Sequence, residues 1–94
     1  MLKLRDGVST ADTEYGTTLL DEDSGEYWNL NPSAALVLRT LLDGGTPEQA
    51  VQALTEEYEV GEEAARRDVT ELIGGLRSAS LVEGPHLARD GGEQ

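Results

Sequence analysis

Apolar and polar positions change their period once along the chain, near residue 31. Before that point short runs alternate between Gly and Asp breaks: Val8-Ser9-Thr10, Gly16-Thr17-Thr18-Leu19-Leu20 and Glu26-Tyr27-Trp28-Asn29-Leu30. Their Val, Thr, Tyr and Trp suit a half-buried pleated surface, so three strands are predicted. In the third, alternation sets Trp28 and Leu30 on the core face and Tyr27 and Asn29 on the other. Asp21 to Gly25 reads as a hairpin loop, and Asp12 as a break.

From Asn31 onward the apolar spacing is helical. Asn31 suits an N-cap and Pro32 a first helical position. Ala34 to Leu42 is apolar on most of its circumference, which predicts a central helix ended by Asp43-Gly44-Gly45. Thr46 and Gln49 have capping-box spacing ahead of a second helix with the stripe Ala50, Val51, Leu54 and Tyr58. A third helix starts near Gly61-Glu62-Glu63, with the core stripe Ala65, Val69, Leu72 and Leu76 and with Ile73 on its flank. Gly74-Gly75 predicts fraying or tight internal packing, since each glycine costs about 1 kcal/mol against alanine inside a helix.

Strands followed by helices argue for α+β: a winged-helix-like domain with a three-stranded antiparallel sheet and then three helices. The domain is expected over residues 1–83, with a flexible polar tail over 84–94.

Composition narrows the function classes. There is no cysteine and a single histidine, His86, in that tail. No acidic cluster has calcium-loop spacing, so no metal and no cofactor is expected, and no nucleophile–base pair suggests an enzyme. Asp23-Ser24 is followed by Gly25 and a strand, a poor match to the serine context of an acyl carrier. No segment has the apolar length to span a membrane and no signal core follows Met1, so a cytoplasmic location is expected. The net charge of -12, from 19 acidic and 7 basic residues, opposes nucleic acid and anionic lipid and favours a basic or neutral partner.

The stretch Ser24-Gly25-Glu26-Tyr27-Trp28-Asn29-Leu30-Asn31-Pro32-Ser33-Ala34-Ala35 resembles the PqqD-like family. That family has a glycine turn, an aromatic strand ending in Leu-Asn and an Ala-containing helix. Leu41-Leu42-Asp43-Gly44-Gly45-Thr46-Pro47-Glu48-Gln49-Ala50 resembles its next junction. Leu54 with Tyr58 and Val60, then Asp68-Val69 with Leu72, Leu76 and Leu81-Val82, resemble the rest in order. The likeness spans about residues 8–83.

The resemblance implies a recognition element for a ribosomally made precursor peptide, of the stand-alone lasso-peptide type. Its partners would be the precursor's leader segment, a separate leader peptidase and a cyclase. It implies that the third strand, Glu26, Tyr27, Trp28, Asn29 and Leu30, is an edge to which the leader adds, opposite the third helix. On that helix Arg66, Val69, Thr70, Ile73 and Arg77 lie on one line, Val69 and Ile73 as apolar wall and the arginines for carboxylates or a tyrosine ring. Tyr27 is expected nearer the peptide than Trp28. An exposed edge allows a monomer or a weak dimer. The alternatives are a winged-helix DNA-binding regulator using Arg66, Arg67 and Arg77, and an adaptor for another protein. Glu56, Glu57 and Glu59 form an acidic face suited to docking a peptidase.

Overall fold

The computed structural model describes residues 2–83. The tail over 84–94, with His86, lies outside the described residues. Eight elements follow in order: β1 (Lys3–Leu4), β2 (Val8–Thr13), β3 (Gly16–Asp21), β4 (Tyr27–Leu30), α1 (Pro32–Leu42), α2 (Pro47–Glu57), α3 (Glu62–Ser78) and β5 (Val82–Glu83). The fold is α+β, with a three-stranded antiparallel sheet in the order β2-β3-β4. β1 and β5 form a second, two-stranded antiparallel sheet that ties the two ends of the domain together.

β3 is the sheet's inner spine. Thr17, Leu19 and Asp21 alternate inward and are buried. Asp12, read as a break, is instead inside β2, where its carboxylate accepts the Thr17 hydroxyl at 2.9 Å. This cross-strand bond carries β2 on to Thr13 and tightens the connection to Glu14 and Tyr15.

The helix starts follow from their caps. Asn31 accepts the Ala34 N–H at 2.8 Å, and Pro32 opens α1. Thr46 and Gln49 form the reciprocal capping box of α2. These bonds satisfy N–H groups that the first helical turn leaves unpaired. α1 is central: it packs on β1, β3, β4, α2 and α3. Val37, Leu38 and Leu41 meet Leu19 from the sheet and Val51 and Leu54 from α2 in one core.

α3 differs from expectation in two ways. Its buried stripe is Ala65, Val69, Ile73 and Leu76, so Ile73 takes the core position assigned to Leu72. Leu72 is half-buried and packs on the edge of the core. The two stripes share three of four positions, and packing against α2 selects between them. The helix also runs through Gly74-Gly75 without fraying, and no atom lies within 4 Å of a Cβ built on either glycine. Neither fraying nor tight packing explains the pair.

α3 ends at Ser78 with Ala79 as its cap, and the chain turns off at Ser80, which adopts a left-handed conformation (φ 60°), with the Leu81 N–H donating to the Leu76 carbonyl. Arg5 clamps this turn to the sheet: its Nε donates to the Ser80 carbonyl at 2.6 Å, and an Nη reaches Asp21 at 2.8 Å.

Candidate functional site

β4 is the outer strand of its sheet, so one of its edges is unpaired within the described residues. The register fixes which groups face outward. The Asp21 N–H donates to the Glu26 carbonyl, and the following pairs are Leu20–Tyr27, Leu19–Trp28, Thr18–Asn29 and Thr17–Leu30. Antiparallel ladders alternate between bonded and non-bonded pairs. Trp28 and Leu30 therefore turn their main-chain groups toward β3, while Tyr27 and Asn29 turn theirs to the free edge.

The side chains alternate across the other axis. Trp28 and Leu30 point inward and pack on the core. Tyr27 and Asn29 are on the exposed outer face, with Tyr27 65% exposed. The Thr18 hydroxyl donates to Asn29 Oδ1 at 2.7 Å, which holds that side chain across the sheet. Glu26 precedes the strand and is exposed.

β4 packs chiefly on β3 and α1; α3 packs chiefly on α2, α1 and β5. α1 packs on both β4 and α3. A 340 Å³ hollow, the cleft, opens at the start of α1. Asn31, Ser33, Ala34 and Val37 floor it, Leu54 of α2 backs it, and Asp68, Glu71 and Leu72 form its α3 wall. Because α1 follows β4 directly, the hollow is level with the C-terminal end of the strand.

The line Arg66, Thr70, Ile73 and Arg77 is elsewhere. Each of these residues lies two positions before Asp68, Leu72, Gly75 and Ala79, or about 200° around the helix. Arg66 is directed at α2, paired with Glu48 of that helix and with Glu62 at 2.9 Å. The Arg66 hydrogen bond and charge hold the Glu48 carboxyl below its ordinary pKa. Thr70 is exposed, and Arg77 is half-buried in the last turn. Val69 and Ile73 are only 2% and 7% exposed, so they support the helix from inside the core. The α3 residues that line the hollow are Asp68, Glu71 and Leu72, which sequence reasoning left out. The usable signal was the polar flank beside Leu72: two carboxylates three residues apart next to a leucine.

The alternative of DNA contacts through α3 loses Arg66 to these ion pairs. Among the described residues no group of His, Cys, Asp and Glu could hold a metal ion, and no helix is long and apolar enough to cross a membrane.

Residues 16–82, which include β4, α1 and α3, match the family described as Coenzyme PQQ synthesis protein D (PqqD). Two solved structures share the fold. One, described as "Lasso peptide synthetase B1 complexed with the leader peptide", is 44% identical with a TM-score of 0.81, covering 88% of this chain and 98% of that one. The other, "TbiB1 in Complex with the TbiA(beta) Leader Peptide", is 28% identical with a TM-score of 0.79, covering 89% and 98%. No curated protein matches.

Proposed function

The chain belongs to the PqqD family, and from that premise we propose that it binds the leader segment of a ribosomally made precursor peptide, a lasso-peptide precursor, by strand addition to β4. The observation that carries this is the unpaired β4 edge beside a cleft walled by α3. An added strand pairs with the outward main-chain groups of Tyr27 and Asn29, which supply affinity whatever the peptide's sequence. Side chains on alternate peptide residues enter the cleft over Ala34, Val37 and Leu72 and supply specificity. Two relatives of this length, at 44% and 28% identity, are described as complexes with a leader peptide.

The role is binding rather than chemistry. The hollow is lined by no cysteine or histidine, and the Ser33 hydroxyl is occupied in donating to Asn31 Oδ1 at 3.0 Å. The bound leader keeps its core segment outside the cleft, available to a separate leader peptidase and a cyclase in the cytoplasm. Glu56 and Glu57 at the exposed end of α2, with Glu59 just beyond it, form an acidic face for docking that peptidase. Reversing these three charges without loss of peptidase binding would remove the docking assignment.

Trp28 is the only tryptophan and lies in β4, so its fluorescence reports on the site. The leader of a cognate lasso-peptide precursor is expected to give a saturable Trp28 change with a micromolar or tighter Kd, and a scrambled leader none. Equal responses to both would defeat the proposal.

A further inference from the structure

We propose that the cleft selects a basic residue of the bound peptide, and that Asp68 and Glu71 are the residues that read it. The inference rests on peptide binding at β4 and names the chemistry of one contact within it.

The hollow is lined by these two carboxylates and by no lysine or arginine. Of its other polar groups, the Ser33 hydroxyl and the Asn31 side-chain oxygen have partners. Asn31 Oδ1 accepts both the Ala34 N–H and the Ser33 hydroxyl. The exposed carboxylates of Asp68 and Glu71 have neither a hydrogen bond nor an ion pair among the described residues. Of the cations nearest in sequence, Arg66 is held by Glu48 and Glu62, and Arg67 pairs with neither carboxylate within 4 Å.

A peptide lying in the cleft takes water away from both carboxylates. Burying an unpaired charge is costly, so an apolar or acidic residue at this place is rejected. A lysine or arginine satisfies them with charge-assisted hydrogen bonds. Its aliphatic stem can cover Leu72, Ala34 and Val37, which supply apolar surface beside the carboxylates. The hollow is level with the end of β4, so the basic residue belongs just beyond the strand-paired segment. The free edge of β4 recognises any backbone, whereas the charged hollow discriminates among sequences.

The probe is a synthetic leader of a cognate lasso-peptide precursor, followed through Trp28, against wild type and Asp68→Asn/Glu71→Gln. Circular dichroism verifies that the variant is folded. The variant is expected to bind on the order of tenfold more weakly and to lose most of the salt dependence of wild type. Replacing the leader's lysines and arginines with glutamine is expected to weaken wild type similarly and the variant little. Glu63→Gln/Glu83→Gln removes two exposed charges that do not line the hollow and is expected to leave binding unchanged. An Asp68→Lys/Glu71→Lys protein is expected to recover a leader whose basic residues are replaced by glutamate. Binding that is equal in the Asp68/Glu71 variant, or lowered as much by the Glu63/Glu83 substitutions, overturns the inference and leaves leader recognition standing. So does tight binding of a leader without a basic residue. Failure of wild type to bind at all instead overturns the reading beneath it.

Discussion

The backbone of Gly16 lies directly against the carbonyl oxygen of Leu30, so close that a Cβ on Gly16 would overlap it. Gly16 opens β3 with φ 134°, a conformation that L side chains rarely adopt, while Leu30 closes β4 and leads into the Asn31 cap. This approach fixes where β4 ends and where the cleft floor begins. Gly16→Ala must move backbone on one side and strain φ on the other. The expected cost is about 2 kcal/mol or more, read from urea unfolding. An unchanged midpoint would mean that the two strands can separate there freely.

Gly74 offers the opposite case. A Cβ there meets nothing within 4 Å, and the residue is exposed inside α3. Gly74→Ala is expected to stabilise the domain by about 0.5–1 kcal/mol, because alanine loses less backbone entropy on entering a helix. Leader affinity should not change. A destabilised protein would show that a partner or another part of the chain packs on that face.

Leu72 and Ile73 are adjacent but do different work. Ile73 is in the core, so Ile73→Ala is expected to cost about 2–4 kcal/mol of stability. Leu72 is half-buried at the cleft, so Leu72→Ala should cost less stability yet weaken leader binding several-fold. Unfolding and titration on both variants separate the roles; reversed outcomes would move the cleft to the other flank of α3.

Acid should loosen the Arg5 clamp. Burial raises the Asp21 pKa, but hydrogen bonds from the Asp23 and Ser24 backbone, together with Arg5, outweigh it and hold the carboxyl below its ordinary value. A carboxyl depressed in the folded state adds stability above its unfolded pKa, and that addition is lost as pH falls through the folded one. Asp21→Asn should therefore be less stable than wild type by a constant margin above about pH 5, with the gap closing below about pH 4. Unfolding midpoints across this range check it; a gap that persists at low pH would assign the effect to shape rather than charge.

Much of this fold is legible in the sequence because its signals are local. Asn31-Pro32, Thr46-Pro47 and the alternation through Trp28 and Leu30 each act over a few residues, and each element forms where they place it. β1 and β5 are not legible, since two residues pairing across most of the chain leave no local period. The α3 side of the hollow is not legible for a similar reason. Ala65-Val69-Leu72-Leu76 and Ala65-Val69-Ile73-Leu76 are both regular helical stripes, and only packing on α2 decides between them. That choice turns Asp68 and Glu71, rather than Arg66 and Thr70, toward the hollow.

Backbone amide hydrogen exchange at β4, with and without the leader, tests strand addition most directly. Trp28 and Leu30 face β3 and should be protected in both states, whereas Tyr27 and Asn29 should exchange quickly alone and slow markedly once the leader is bound. A leader that binds while Tyr27 and Asn29 exchange as fast as before would contradict pairing at this edge.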